Sequence, residues 1–243
     1  MDLQDKVAIV TGGAVRLGRE MALGLAARGM KVCVHYGSST EAAEETVEQI
    51  RAASGTATSV QADLRDPIPA TSKIVGHACD QFGAVDVLVN SAAVFENNNI
   101  ETATEDAWDR HFSINLKAPF FLCQSFVDQL EPGQRAHIVN IADWRVFRPT
   151  TEHMIYTLTK SSLVTLTQML AQYLAPDVQA NAIALGAILA PPEADEAYLD
   201  RIAQQVPLRR TGNAGDVVET LMFLLQSDFI TGEVLRITGG EEL

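Results

Sequence analysis

The chain has 243 residues, 47% of them apolar and 20% charged, the balance of an ordinary globular protein able to bury a substantial core. That length fits one α/β domain or two small ones. A formal net charge of −13 argues against a general nucleic-acid or anionic-membrane surface, while leaving room for a few local cations to hold an anionic ligand.

Along the chain, apolar runs of strand length alternate with longer stretches of helical period. Met1 to Lys6 lacks a basic segment, so no signal peptide is expected. Val7 to Val10 is a short continuous apolar run, as in a parallel strand buried on both faces. Leu17 to Arg28 has helical character and stops at Gly29. Lys31 to Tyr36 is the second predicted strand, and Thr40 to Ala53 a helix with Ser39 or Thr40 as its N-cap. Then come strand Ala57 to Gln61, helix Pro67 to Phe82, strand Val85 to Val89 and a long helix within Glu105 to Leu130. Strand Ala136 to Ala142, helix His153 to Leu174, strand Val178 to Leu185, helix Gly215 to Gln226 and strand Val234 to Thr238 complete the series. Serial alternation predicts one doubly wound Rossmann-type α/β domain over 1–243, with a seven-stranded, mostly parallel sheet and helices on both faces.

The irregular stretch Ala187 to Thr211 carries Pro191, Pro192 and Pro207 with Glu193, Asp195 and Glu196. It is either a plain surface excursion or a lid over a substrate. Cys33, Cys79 and Cys123 fit neither a CxxC nor a zinc spacing. Reduced thiols in a cytoplasmic protein and no bound metal are expected. No apolar run reaches the roughly 18 residues needed to span a bilayer.

Gly12 and Gly18 flank the turn between the first strand and first helix. Glycine lets a ligand approach the backbone closely, and the helix N-terminus offers free N–H groups to a pyrophosphate. The second strand ends His35-Tyr36-Gly37-Ser38-Ser39, with no acid to bind a bare 2′-hydroxyl. Arg16 with two serine hydroxyls suits a 2′-phosphate, which favours NADPH. Asp63 is a candidate acceptor for an adenine amine, and Asn90 ends the fourth strand at the edge where ligands bind in such sheets.

Tyr156 and Lys160 stand four apart on a predicted helix and share a face. A neighbouring ammonium lowers the pKa of a phenol and makes it a better proton relay. Asp143, ending the fifth strand, and Asn115, inside the helix after the fourth, are expected near the same edge.

These residues resemble the short-chain dehydrogenase/reductase family across essentially the whole chain. The family pattern TGxxxGxG is met by Thr11 to Gly18 with Arg16 in a glycine slot. Its Asn-Ser-Tyr-Lys tetrad maps onto Asn115, Asp143, Tyr156 and Lys160, with aspartate for serine. Arginine and aspartate at those two places, with Val32 to Tyr36 followed by serines, resemble the pteridine reductase branch. The resemblance implies NADPH held by Gly12, Arg16, Leu17, Gly18, His35, Tyr36, Ser38, Ser39, Asp63, Leu64, Asn90, Tyr156, Lys160, Gly186 and Ile188. It implies a pterin-like substrate against Arg16, Phe95, Asp143 and Tyr156, with Phe95 stacked on the ring, and a homotetramer. The family's usual serine after the fourth strand is Ala93 here, its basic residue after the second is Ser38, and its Pro-Gly is Leu185-Gly186.

The expected activity is therefore NADPH-dependent reduction of a dihydropterin or dihydrofolate. The alternatives are a ketone or 3-oxoacyl reductase on the same scaffold and a non-catalytic NADPH-binding sensor.

Overall fold

The computed structural model describes residues 1–191, 194–195 and 197–243. Pro192, Glu193 and Glu196 of the predicted lid lie outside them. In chain order the elements begin with β1 (Val7–Val10), α1 (Arg16–Ala27), β2 (Lys31–Tyr36), α2 (Thr40–Ala52), β3 (Thr56–Gln61), α3 (Pro67–Phe82) and β4 (Val87–Asn90). Next are α4 (Glu105–Phe112), α5 (Ala118–Asp128), β5 (Ala136–Asp143), α6 (Met154–Leu174), β6 (Val178–Leu185), α7 (Tyr198–Ala203), α8 (Ala214–Gln226) and β7 (Val234–Ile237). The seven strands form one sheet in the order β3-β2-β1-β4-β5-β6-β7, and every neighbouring pair is parallel. This is the expected Rossmann-type α/β fold.

Because the strands are parallel and covered on both faces, they read as apolar runs. All of β1 and all of β5 are buried. Alternate residues feed opposite cores. Ala8 and Val10 join Met21, Leu25 and Leu221 on one face, and Val7 and Ile9 join Ile74, Leu122 and Phe126 on the other.

Two departures from the predicted elements matter for the site. The long helix of 105–130 is interrupted between α4 and α5 by a wide π-helical turn, Ser113–Lys117. Pro119 explains the break, since it has no N–H to give the carbonyl of Asn115 and its ring crowds that carbonyl in a regular helix. The irregular stretch after β6 contains the short helix α7, which the prolines and acids around it obscured.

The glycine turn is held by contacts from β2 and the loop after β4. His35 accepts from the Gly12 N–H through Nδ1 (3.2 Å) and donates to Ala62 O through Nε2 (3.1 Å). Burial lowers its pKa to about 4, so this strut is neutral at physiological pH. Thr11 Oγ1 accepts from the N–H groups of Ser91 (2.9 Å) and Ala92 (3.1 Å). The turn is so tight that a Cβ on Gly18 would stand 2.1 Å from the Gly12 carbonyl oxygen. Gly18→Ala should therefore cost about 1–3 kcal/mol in urea unfolding. Gly76→Ala, inside α3 with nothing within 4 Å of the new methyl, should be neutral or stabilising. Equal stability of the two variants would contradict this account of the turn.

Candidate active site

The carboxyl ends of β5 and β6 open onto a cavity of about 240 Å³ whose walls include Arg16, Leu17, Phe95, Asp143, Tyr156, Gly186 and Ile188. Several elements deliver these side chains. Asp143 is the last residue of β5, Tyr156 and Lys160 lie in the first half of α6, and Arg16 opens α1. Arg16 does so with φ +52°, the left-handed conformation that the family's glycine would take more easily.

At the centre, the Tyr156 hydroxyl donates to Asp143 Oδ2 at 3.3 Å, a long contact for O–H···O. Asp143 is itself engaged by Arg145. The Arg145 main-chain N–H donates to Oδ1 (2.9 Å), and its Nη1 reaches Oδ1 at 3.1 Å and Oδ2 at 3.2 Å. The same guanidinium lies 4.9 Å from the Trp144 ring centroid and 5.4 Å from that of Phe95. Sequence reasoning passed over Arg145. The available signal was its place two residues after Asp143, where an aspartate commonly captures a main-chain N–H.

The pKa of Tyr156 moves opposite to the direction expected from Lys160. Burial, and then the Asp143 charge, push the phenol well above its ordinary value, with Arg145 opposing. The Lys160 ammonium donates instead to Ile141 O at 2.7 Å. Tyr156 is thus held protonated, as a donor. Burial lowers Lys160 from its ordinary 10.5 to about 8, with the Asp143 charge opposing.

Phe95 is 42% exposed, so it belongs to the cleft wall and not to the core. Its ring stacks on His153 (centroids 4.0 Å apart, planes at 13°) and meets Tyr156 edge-on at 4.7 Å. Asn115 sits in the wide turn and pairs with the main chain of Val94. Its Oδ1 accepts from Val94 N (2.8 Å), and its Nδ2 donates to Val94 O (3.0 Å) and Thr159 Oγ1 (3.2 Å). The open helix therefore fixes the segment that presents Phe95.

The remaining residues predicted for the cofactor are spread along the sheet edge. Gly12, Leu17 and Gly18 form the turn into α1, and Val15 at its cap position offers no side-chain acceptor, leaving the first-turn N–H groups open to a phosphate. Ser38 and Asp63 line a second hollow with Arg65 and Lys73. Asp63 is tied to Arg65 there, with Oδ2 2.6 Å from Nη2. Tyr36 is half-buried at the end of β2, Ser39 precedes α2 and Leu64 is buried. Gly186 and Ile188 border the cleft after β6. Arg16 and Ser38 line different hollows, because the Arg16 guanidinium donates to Ala190 O (2.7 Å) on the stretch after β6. Asn90 ends β4 as expected, but its amide turns inward and donates to Asn140 Oδ1 at 2.8 Å. This set fits a dinucleotide lying along the edge, with open N–H groups at its middle and cations at its adenosine end.

A model of the short chain dehydrogenases matches residues 6–197. The chain belongs to the short-chain dehydrogenase family. Its fold is shared with FolM alternative dihydrofolate reductase 1 of Brucella canis, solved with NADP, at 32% identity and a TM-score of 0.94 over 99% of this chain and 95% of that one. Among curated relatives, an uncharacterized oxidoreductase of Methylorubrum extorquens is 34% identical over 98% of both chains. The 3-oxoacyl-[acyl-carrier-protein] reductase FabG of Staphylococcus epidermidis is 31% identical over 97% of this chain and 98% of its own.

Lys160 should titrate near pH 8 in cofactor-free protein, followed by NMR of labelled lysine side chains. Asp143→Asn should move that midpoint lower, because the carboxylate charge is what favours the ammonium against burial. A wild-type midpoint at the ordinary 10.5, or an upward move in the variant, would contradict the geometry.

Proposed function

We propose that this short-chain dehydrogenase is an NADPH-dependent reductase of a pterin-like heterocycle, a dihydropterin or dihydrofolate. The observation that carries the reading is Asp143 within reach of the Tyr156 hydroxyl, where the family's tetrad has serine, in a cleft walled by the half-exposed Phe95. The likeness to a dihydrofolate reductase of the same fold supports it.

Bound NADPH supplies the hydride. Tyr156, protonated because its anion would be buried beside Asp143, gives its proton to a ring nitrogen. Asp143 holds the hydroxyl in line and favours the protonated phenol, and Arg145 pairs with that carboxylate. Lys160 anchors α6 to β5 through Ile141 and would hold the nicotinamide ribose of bound cofactor. Asn115 holds the Val94 main chain, and Phe95 presents its ring to the flat substrate. The Arg16–Ala190 bond and the presence of Tyr198 and Ile202 in the cleft wall support a lid role for 187–211.

The FabG relatives favour a 3-oxoacyl or ketone reductase as the second reading. Asp143 speaks against it, since a carboxylate beside the carbonyl oxygen opposes the negative charge that develops there. The deciding measurement is turnover of NADPH and NADH with dihydrobiopterin, dihydrofolate and a panel of ketones. Dihydropterin with NADPH should give the highest kcat/KM, and Tyr156→Phe should lower kcat by about a hundredfold or more. Brisk ketone reduction without any pterin reduction would move the protein to the second reading.

The assembly we infer is a homotetramer built partly on α4, α5 and α6. An apolar hollow there is lined by Phe112, Leu116, Phe120, Phe121, Leu166 and Met169, with Phe120 48% and Met169 62% exposed. Light scattering should give four times the 26.3 kDa chain mass. Phe120→Glu should reduce it. A wild-type monomer at micromolar concentration would overturn this.

A further inference from the structure

The last turn of the chain enters the cleft, and its carboxylate has no part in the proton relay. Gly239 (φ +63°) and Gly240 (φ +91°) reverse the chain after β7 and pass it over Val206 and Pro207, where a Cβ would stand 2.8 and 2.9 Å from those side chains. The tail is then pinned by Arg148, whose Nη1 donates to Leu243 O at 2.8 Å, and by Leu243 N–H donating to Gly240 O. Glu241 is thereby set into the wall of the cavity that holds Asp143, Tyr156 and Phe95. Its Oε2 accepts from the Ala187 N–H at 2.8 Å. Among the described residues Oε1 has no hydrogen-bond partner.

Asp143 is differently placed. Both of its oxygens are taken by Arg145, and Oδ2 also accepts from Tyr156. The other charged side chains of the cleft wall, Arg16 and Arg145, are donors. A flat ring whose edge carries adjacent N–H groups therefore finds its uncommitted carboxylate oxygen at Glu241.

We propose that Glu241 is a specificity-determining residue that accepts hydrogen bonds from the amino-pyrimidine edge of the substrate. This rests on the pterin reading of the cleft and assigns to the C-terminal tail the recognition of the 2-amino group. A ketone or acyl substrate has no such donors and gains nothing from the contact. An edge that presents a carbonyl there meets the carboxylate unfavourably.

The test is binding to full-length, NADP-saturated protein of two probes, pterin and 2,4-dioxopteridine, which differ in carrying an amine or a carbonyl at position 2. Wild type should bind pterin about tenfold to a hundredfold more tightly, the range of one charge-assisted hydrogen bond. Glu241→Gln keeps an acceptor for Ala187 but removes the charge and adds a donor, so the preference should collapse towards one, mainly through weaker pterin binding. A purely structural role for Glu241 would weaken both probes alike and keep the ratio. Should that variant fold poorly, Arg148→Ala, which frees the tail and spares the charged groups of the cleft, should also reduce the ratio. An unchanged ratio in the folded variant, or no preference in wild type, overturns the inference. Wild type that prefers pterin but does not reduce dihydropterin overturns the reductase reading and leaves this one standing.

Discussion

A carboxylate at the end of a buried strand has to be compensated, and that requirement organises the cleft. Asp143 is 8% exposed, where an unpaired charge would be costly. Arg145 provides the counter-charge from only two residues away, which fixes the short turn after β5 and holds the guanidinium across Trp144 and Phe95. Burial first, and then the Asp143 charge, keeps the proton on Tyr156, with Arg145 opposing.

The sheet does the gathering. Parallel strands end on one edge, so residues from β5, α6, the glycine turn and the loop after β6 meet although they are far apart in sequence. Two local breaks of regularity refine the meeting. Pro119 opens the helix at Asn115, whose amide then clasps Val94 and steadies Phe95. Arg16 in a left-handed conformation turns its side chain from the glycine loop to the stretch after β6, linking the two sides of the cleft.

Relatives of about equal identity carry names as different as dihydrofolate reductase and 3-oxoacyl reductase. The scaffold therefore does not select the substrate. Any selection is left to the side chains that line the cleft, which in this chain include an aspartate paired with an arginine and a glutamate from the tail bound to a main-chain N–H.

The sequence by itself determined the fold and named most of the polar side chains that meet in or beside the cleft. Strands buried on both faces are continuous apolar runs, helices carry a 3.6-residue period, and the spacing of Tyr156 and Lys160 puts them on one face of α6. Such signals are local and survive in a linear string. Only the tertiary structure decided how those groups behave. It turned Asn90 inward to Asn140, set Lys160 on Ile141 and sent Arg16 towards Ala190. It also raised the Tyr156 pKa where the sequence had suggested a fall, because burial depends on what packs around a side chain and not on what precedes it. Arg145 left a faint local trace beside Asp143. Glu241 left none, because its approach to the cleft depends on a reversal at Gly239 and Gly240 and on an anchor at Arg148, and contacts between residues that distant exist only once the chain has folded.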